Sequence, residues 1–255
     1  MRSFDDLLAE AAAVDVTGWD FSWFVGRATE ERPPWGYQRL LADRLGRARA
    51  SLDVQTGGGE VLAGVDALPP TAVATEGWPP NVEAATRRLH PRGVVVVAVP
   101  EKPPWPFAGD AFDLVTSRHP ATVWWPEIAR VLCPGGTYLA QHVGAESAFE
   151  LAGEFIRIGS EDRRARRAEL EAEAARAAGL EIVQMATART RMEFRDIGAV
   201  VVFLRKVVWI VPGFDIDRHR GSLRRLDERI RREGPFIAHS ARTLFEARKA
   251  PPGRK

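Results

Sequence analysis

Leu52-Asp53-Val54-Gln55-Thr56-Gly57-Gly58-Gly59-Glu60 is the stretch whose reading decides the fold. Residues 51–56 read as a short strand, three consecutive glycines follow at 57–59, and a helical pattern is expected near 58–64. A Gly-rich turn directly after a strand lets backbone approach a ligand closely and tolerates positive φ. Alone it fits an ordinary strand–helix turn as well. The next acid sharpens it: Glu76 ends a second apolar run, 71–77, and lies 23 residues after Asp53. An acid at that spacing grips the ribose hydroxyls of an adenosine-type cofactor.

Outward from this unit the same alternation continues. GVVVVAV (93–99) is nearly all valine, the pattern of a strand covered on both faces of a parallel sheet. FDLVTSRH (112–119) and GTYLAQHV (136–143) are a fourth and fifth strand, with helices expected near 81–89 and 124–132. Strands alternating with helices at this spacing predict an α/β, doubly wound, mostly parallel sheet. EIVQMATAR (181–189) and FIAHSARTLFEAR (236–248) bring the strand count to seven. A charged helix is expected over 160–178, closed by Gly179. Residues 195–234 are long for a connection and read as an inserted helical element before the last strand, with helices over Asp196–Lys206 and Arg218–Arg232. Upstream, 3–13 reads as a helix capped by Ser3. An aromatic loop with Trp19, Trp23 and Trp35 follows, then a helix over about 36–49. The organisation expected is one domain, 1–255: an N-terminal helical and aromatic lid (1–49), a cofactor-binding half (50–145) and a C-terminal half (146–255).

Composition narrows the partners. The chain has 255 residues, 45% hydrophobic and 27% charged, ordinary for a globular protein able to bury a core. Lys plus Arg is 36 and Asp plus Glu is 34, a net charge of +2, which is no nucleic-acid footprint. One cysteine, Cys133, excludes a disulfide framework within one chain, and no metal site is expected. The most apolar run, 199–211, is broken by Arg205 and Lys206 and is short of a membrane span. A cytoplasmic protein with no membrane partner is the expectation, and a homodimer is compatible with it.

LDVQTGGGE, ATEGWPPNVEAA, PWPFAGDAFDLVTSRHP and EIARVLCPGGTYLAQHV together resemble the class I S-adenosylmethionine-dependent methyltransferases of the small methyltransferase-domain type. The resemblance runs from about residue 35 to 145, and the Pro-Gly-Gly string is its most specific part. It implies S-adenosylmethionine as cofactor and a seventh strand lying antiparallel between the fifth and sixth. It also implies that the cofactor is bound by Asp53, Gln55, Thr56, Gly57, Gly59, Glu76, Trp78, Glu101, Ser117 and Arg118. The chain departs from the family twice. Gln55 stands where the first loop glycine is usual, so its side chain either crowds the methionine moiety or demands a changed loop path. Many members also have an acid directly after the third strand, where this chain reaches one only at Glu101.

A nicotinamide site fits less well. The loop lacks the last glycine of G-x-G-x-x-G, and Glu60 at the helix start would repel a pyrophosphate, whereas a sulfonium cofactor carries none. The acceptor site in this fold lies beyond the carboxyl ends of the fourth and fifth strands, where His119 and His142 fall. Both are candidate catalytic residues, His119 as a base or acceptor-orienting group. The arginines of 218–232 lie among acids, so their charge is largely balanced. The expected activity is methyl transfer to O or N of a small organic molecule held between the aromatic segment and the insertion. The alternatives are an RNA base methyltransferase, disfavoured by the charge balance, and a degenerate, non-catalytic binding protein of the same fold, which Gln55 motivates.

Overall fold

The computed structural model of the chain describes residues 2–16, 19–100, 102–161 and 166–251. These divide into two compact units: Met1–Arg32, Ala145–Ala165 and Arg189–Ala241 form the first, and Pro33–Gly144, Arg166–Ala188 and Arg242–Lys255 the second.

The second unit carries the sequence quoted above. In chain order it contains α2 (Tyr37–Leu45), β2 (Ala50–Asp53), α3 (Glu60–Ala63), β3 (Thr71–Glu76), α4 (Pro79–Leu89), β4 (Val94–Ala98), β5 (Phe112–Arg118), α5 (Trp125–Val131), β6 (Leu132–Val143) and α7 (Ala168–Ala177). The early part of β7 (Leu180–Phe194) and the late part of β8 (Phe236–Lys249) complete it. β2 pairs in parallel with both β3 and β5, β3 with β4, and β5 with β6; β8 runs antiparallel to β6. One face of these strands is covered by a core around Leu52, Val115, Trp125, Tyr138 and Phe245, the other by a core around Leu41, Leu62, Leu89, Leu114 and Leu139. β2 and β5 are buried along most of their length, but the valine run of 93–99 is not covered on both faces as expected: β4 is an end strand, Val94 is buried and Val95 is exposed. The Pro-Gly-Gly string makes an irregularity in β6: Phe112 is opposite Leu132, yet Leu114 is already opposite Thr137. Gly136 is needed there, because a Cβ would lie 2.8 Å from the Cys133 carbonyl oxygen.

The first unit contains α1 (Phe4–Ala13), α6 (Phe149–Ala152), α8 (Ile197–Lys206), α9 (Arg220–Glu233) and β1 (Ala28–Glu30). β1 pairs antiparallel with the end of β7, Ala28 opposite Phe194. Ser3 caps α1 in a reciprocal capping box with Asp6. The core of this unit gathers Phe4, Leu8, Phe194, Val200, Leu204, Leu223 and Ile230, so α8 is buried nearly all round.

The strand order is β1-β7-β8-β6-β5-β2-β3-β4, with the last strand of the chain between β6 and β7 as expected. Eight strands replace the expected seven. The extra one is β1, three residues (Ala28-Thr29-Glu30) inside the segment read as an aromatic loop, with no apolar alternation to betray it. Of the charged helix expected over 160–178, Ser160 and Glu161 are helical, residues 162–165 lie outside the described residues, and after a break at 166–167 α7 begins at Ala168. Among the described residues no helix is long and apolar enough to cross a membrane.

Candidate functional site

The carboxyl ends of β2, β3, β5 and β6 in the second unit bring most of the expected site residues together. β2 ends on Asp53, which is 7% exposed. Its Oδ1 accepts a hydrogen bond from Thr116 Oγ1 at 2.5 Å. Burial penalises the charged form and pushes its pKa up to about 6, against the opposing pull of Thr116.

The chain then turns sharply. Gln55 has φ of +57°, in the left-handed region that a non-glycine residue enters rarely. Its carboxamide accepts from Ala121 N at 2.7 Å and donates from Nε2 to the Thr122 carbonyl at 2.7 Å. Gly57 N donates to Glu76 Oε2 at 2.8 Å, while Glu76 Oε1 accepts from Gly77 N at 2.8 Å and Trp78 N at 3.1 Å. The Glu76 carboxylate thus fastens the glycine turn to the end of β3. Thr56 Oγ1 is buried in this turn with no hydrogen-bond partner of proper geometry, though it lies near enough to favour the Asp53 carboxylate. Gly59 follows with φ of +79°, and a Cβ there would lie 2.8 Å from Leu89 of α4. Trp78, 49% exposed, heads α4. Glu101 lies outside the described residues.

β5 delivers Ser117, Arg118 and His119 in succession. The Ser117 hydroxyl donates to the Val54 carbonyl at 2.8 Å, and its own carbonyl accepts from Tyr37 OH at 3.0 Å. Arg118 is exposed at the strand end. His119 turns into the left-handed region, φ +58°, with its N–H on the Gln141 carbonyl at 2.7 Å. Its ring meets the Gln141 side chain: Nε2 to Nε2 is 2.9 Å. Trp35 Nε1, which can only donate, lies 2.8 Å from Gln141 Oε1. The Gln141 oxygen is therefore the acceptor for Trp35, its NH2 donates to His119, and His119 Nε2 must carry a lone pair. The imidazole is neutral with its proton on Nδ1. Burial first, then the cations Arg242 and Arg118, hold its pKa well below the ordinary histidine value. Beyond it, Arg166 donates to the Pro120 carbonyl at 3.4 Å and the Ala121 carbonyl at 3.1 Å. Trp124, at the head of α5, has a buried indole N–H without a partner.

His142 stands apart from this group. It is 1% exposed, its Nδ1 donates to Glu171 of α7, and its Nε2 accepts from Tyr138 OH at 3.0 Å. Trp125 and Phe245 pack against its ring. Successive residues of a strand point to opposite faces, so Gln141, which meets His119, leaves its neighbour His142 to the core. Gln141 was not among the residues expected at the site, and Trp35 was expected only as part of the aromatic lid. Gln141 reaches His119 through register, Arg118 and Gln141 being partners across β5 and β6, which sequence spacing does not show.

In the first unit, Trp19 stacks on Phe21 at 6.1 Å between ring centres and meets Trp209 at 5.6 Å, and Arg27 lies over Trp23 at 3.9 Å. The arginines of α9 are engaged within the unit: Arg220 with Asp5, Arg229 with Glu154, Arg231 with Asp227 and Arg232 with Glu233. Among the described residues no cluster of His, Cys, Asp and Glu has the makings of a metal site.

Residues 52–140 match the family model of a methyltransferase domain. No curated protein matches the chain. Among solved structures, the chain resembles a Bacillus halodurans protein provisionally assigned as a methyltransferase: TM-score 0.60, 18% identity, covering 84% of this chain and 98% of that one. The YcgJ protein of Bacillus subtilis gives a TM-score of 0.57 at 16% identity, covering 85% and 99%. The [4+2]-cyclase SpnF gives 0.53 at 18% identity, covering 97% and 93%. At these identities the structural likeness is one of fold.

Proposed function

We infer that this chain, which carries the domain of the class I S-adenosylmethionine-dependent methyltransferases, methylates an O or N atom of a small organic molecule. The observation that supports this most is the Glu76 carboxylate fastened to the glycine turn by the Gly57 N–H. A carboxylate has about four acceptor positions, and Glu76 uses three on backbone N–H groups. The fourth remains for a ribose hydroxyl. Asp53, ionised above about pH 6, suits the cationic end of the same cofactor. The residues present therefore fit S-adenosylmethionine. Gly57 and Gly59 would give it backbone access, with Trp78, Ser117 and Arg118 at the margins of the site.

The cofactor supplies a methyl group already activated on a sulfonium sulfur, so the protein's task is alignment and exclusion of water. His119 suits alignment better than proton removal. A base needs the Nε2 lone pair, and Gln141 occupies it. The proton on Nδ1 makes the ring a neutral donor able to orient an acceptor oxygen or nitrogen. His142, engaged at both nitrogens, receives no part at the reacting atoms. A small acceptor is favoured over RNA because four of the six arginines of α9 are drawn into ion pairs.

A second reading, a non-catalytic binding protein, is favoured by one observation: a side chain at Gln55 where the family has glycine. Calorimetry with S-adenosylhomocysteine separates the two. Micromolar binding by the natural protein is expected. Binding only after Gln55→Gly would favour the second reading, and no binding by either protein would overturn the first.

A further inference from the structure

We propose that Gln55 is a positioning residue: its carboxamide latches the loop after β5 to the glycine turn and so fixes the spacing between the cofactor-binding and acceptor-bearing segments. The inference rests on the reading above for its functional meaning, though not for the latch itself. Gln55 reaches across 66 and 67 residues of sequence to Ala121 N and the Thr122 carbonyl, both at 2.7 Å. An amide side chain offers one donor and one acceptor side by side, as a neighbouring strand would. Only Gln fulfils both contacts at this length. Asn has the same amide and tolerates the left-handed backbone better, but is one methylene short. Glu has the length, yet when ionised it can only accept and would face the Thr122 carbonyl with like charge.

The loop it holds needs holding. His119 is in the left-handed region at its start, and among the described residues Arg166 joins Gln55 in securing its backbone at 120–121. The loop leads through Thr122 to Trp124, whose buried indole N–H awaits an acceptor. A glycine at 55 would relieve the backbone and release this segment. The natural residue keeps an unfavoured φ and gains a fixed loop.

Hydrogen exchange on the full chain, without ligand, tests the latch. In Gln55→Asn and Gln55→Gly the Ala121 amide and the rest of 119–124 should exchange at least 10-fold faster than in the natural protein, while β2, β5 and β6 keep their protection. Gln55→Glu adds a readout that a space-filling role would not move. A protonated carboxyl has both a donor and an acceptor, whereas the ionised form keeps the Ala121 contact and loses the donor to the Thr122 carbonyl, so protection at 122–124 relative to the natural protein should approach equality in acid and fall at least 10-fold above neutrality. The neighbouring charged groups, Asp53, Glu76, His119 and Arg166, are common to both proteins and cancel in that ratio. Unchanged exchange at 119–124 in all three variants would overturn the proposal. S-adenosylhomocysteine affinity, read in parallel, should weaken several-fold in Gln55→Asn and Gln55→Gly. Tighter binding in both would overturn the positioning role and restore the obstructing one. Absence of binding by the natural protein would overturn the methyltransferase reading, and with it the functional role of the latch, while the exchange data alone decide whether the latch exists.

Discussion

The Gln141 side chain donates to His119 Nε2 across 2.9 Å because Trp35 already occupies its oxygen. That relationship fixes the chemistry of the histidine without reference to any substrate. Nitrogen-15 spectra of the imidazoles should show His119 neutral, protonated at Nδ1, from pH 8 to below pH 6. Trp35→Phe removes the donor that orients the amide, lets Gln141 present its oxygen instead, and should move the His119 pKa upward. An imidazolium forming near pH 6.5 in the natural protein would sink the neutral-donor role. The linkage has a definite sign. The folded pKa is depressed, so the unfolded chain takes up the proton first, and this group withdraws stability as pH falls below about 6.5.

Asp53 titrates in the opposite sense. Its folded pKa of about 6 lies above the ordinary 3.8, so the folded protein holds the proton longer. Stability from this group is fully present below about pH 4, declines as pH rises to about 6, and is level beyond. The interval corresponds to about 3 kcal/mol for a buried carboxyl. Asp53→Asn keeps an oxygen for the Thr116 hydroxyl and carries no charge. Denaturant unfolding at pH 7.5 should therefore find it more stable by about 1–3 kcal/mol, with S-adenosylhomocysteine affinity reduced at least 10-fold. Equal or lower stability would show that the buried carboxylate is better compensated than its surroundings indicate.

How much of this was legible follows from which contacts are local. The α1 cap could be read because Ser3 and Asp6 are three residues apart. β4 could be read as a strand because its valines are β-branched and suit a pleated surface, but its cover could not: β4 ends the sheet, and of its five residues only Val94 is buried. β7 was expected to stop at 189 but continues to Phe194. Thr190, Met192 and Phe194 are buried in alternation with Arg191 and Glu193, a period of two masked by the charges. At the site, Asp53, the glycine turn and Glu76 were recognisable because the motif is contiguous or nearly so. The Gln55 latch and the Trp35–Gln141–His119 relay were not, since each joins positions far apart in sequence whose meeting depends on strand order and register. The two histidines show the same limit: alternation along β6 separates Gln141 from His142, but only the pairing of β5 with β6 says which face is which.

Glu76 offers a test of the fastened turn. Glu76→Ala leaves the N–H groups of Gly57, Gly77 and Trp78 without their carboxylate. Hydrogen bonds to a charged group contribute about 1.5–3 kcal/mol each, and water will replace some of them at this partly exposed position. A stability loss of about 2 kcal/mol is expected, with S-adenosylhomocysteine binding weakened at least 100-fold. Glu76→Gln should lose affinity too, because its NH2 must face one of the N–H donors now shared between the two oxygens. Full retention of affinity by Glu76→Gln would remove Glu76 from the cofactor site.

His142 should behave as a core residue. Its ring joins Tyr138 of the same strand, which is fully buried, to Glu171 of α7, which is partly exposed. His142→Leu leaves the Tyr138 hydroxyl and the Glu171 carboxylate without their shared partner, a loss of about 2–4 kcal/mol. S-adenosylhomocysteine affinity, measured well below the lowered melting temperature, should stay within about 3-fold of the natural value, a difference under about 1 kcal/mol. His119→Leu is the informative contrast: it removes a neutral donor at the strand end and should depress any methyl transfer far more than stability. A His142→Leu protein that stays folded and binds the cofactor, yet loses activity that His119→Leu retains, would exchange the roles assigned to the two histidines.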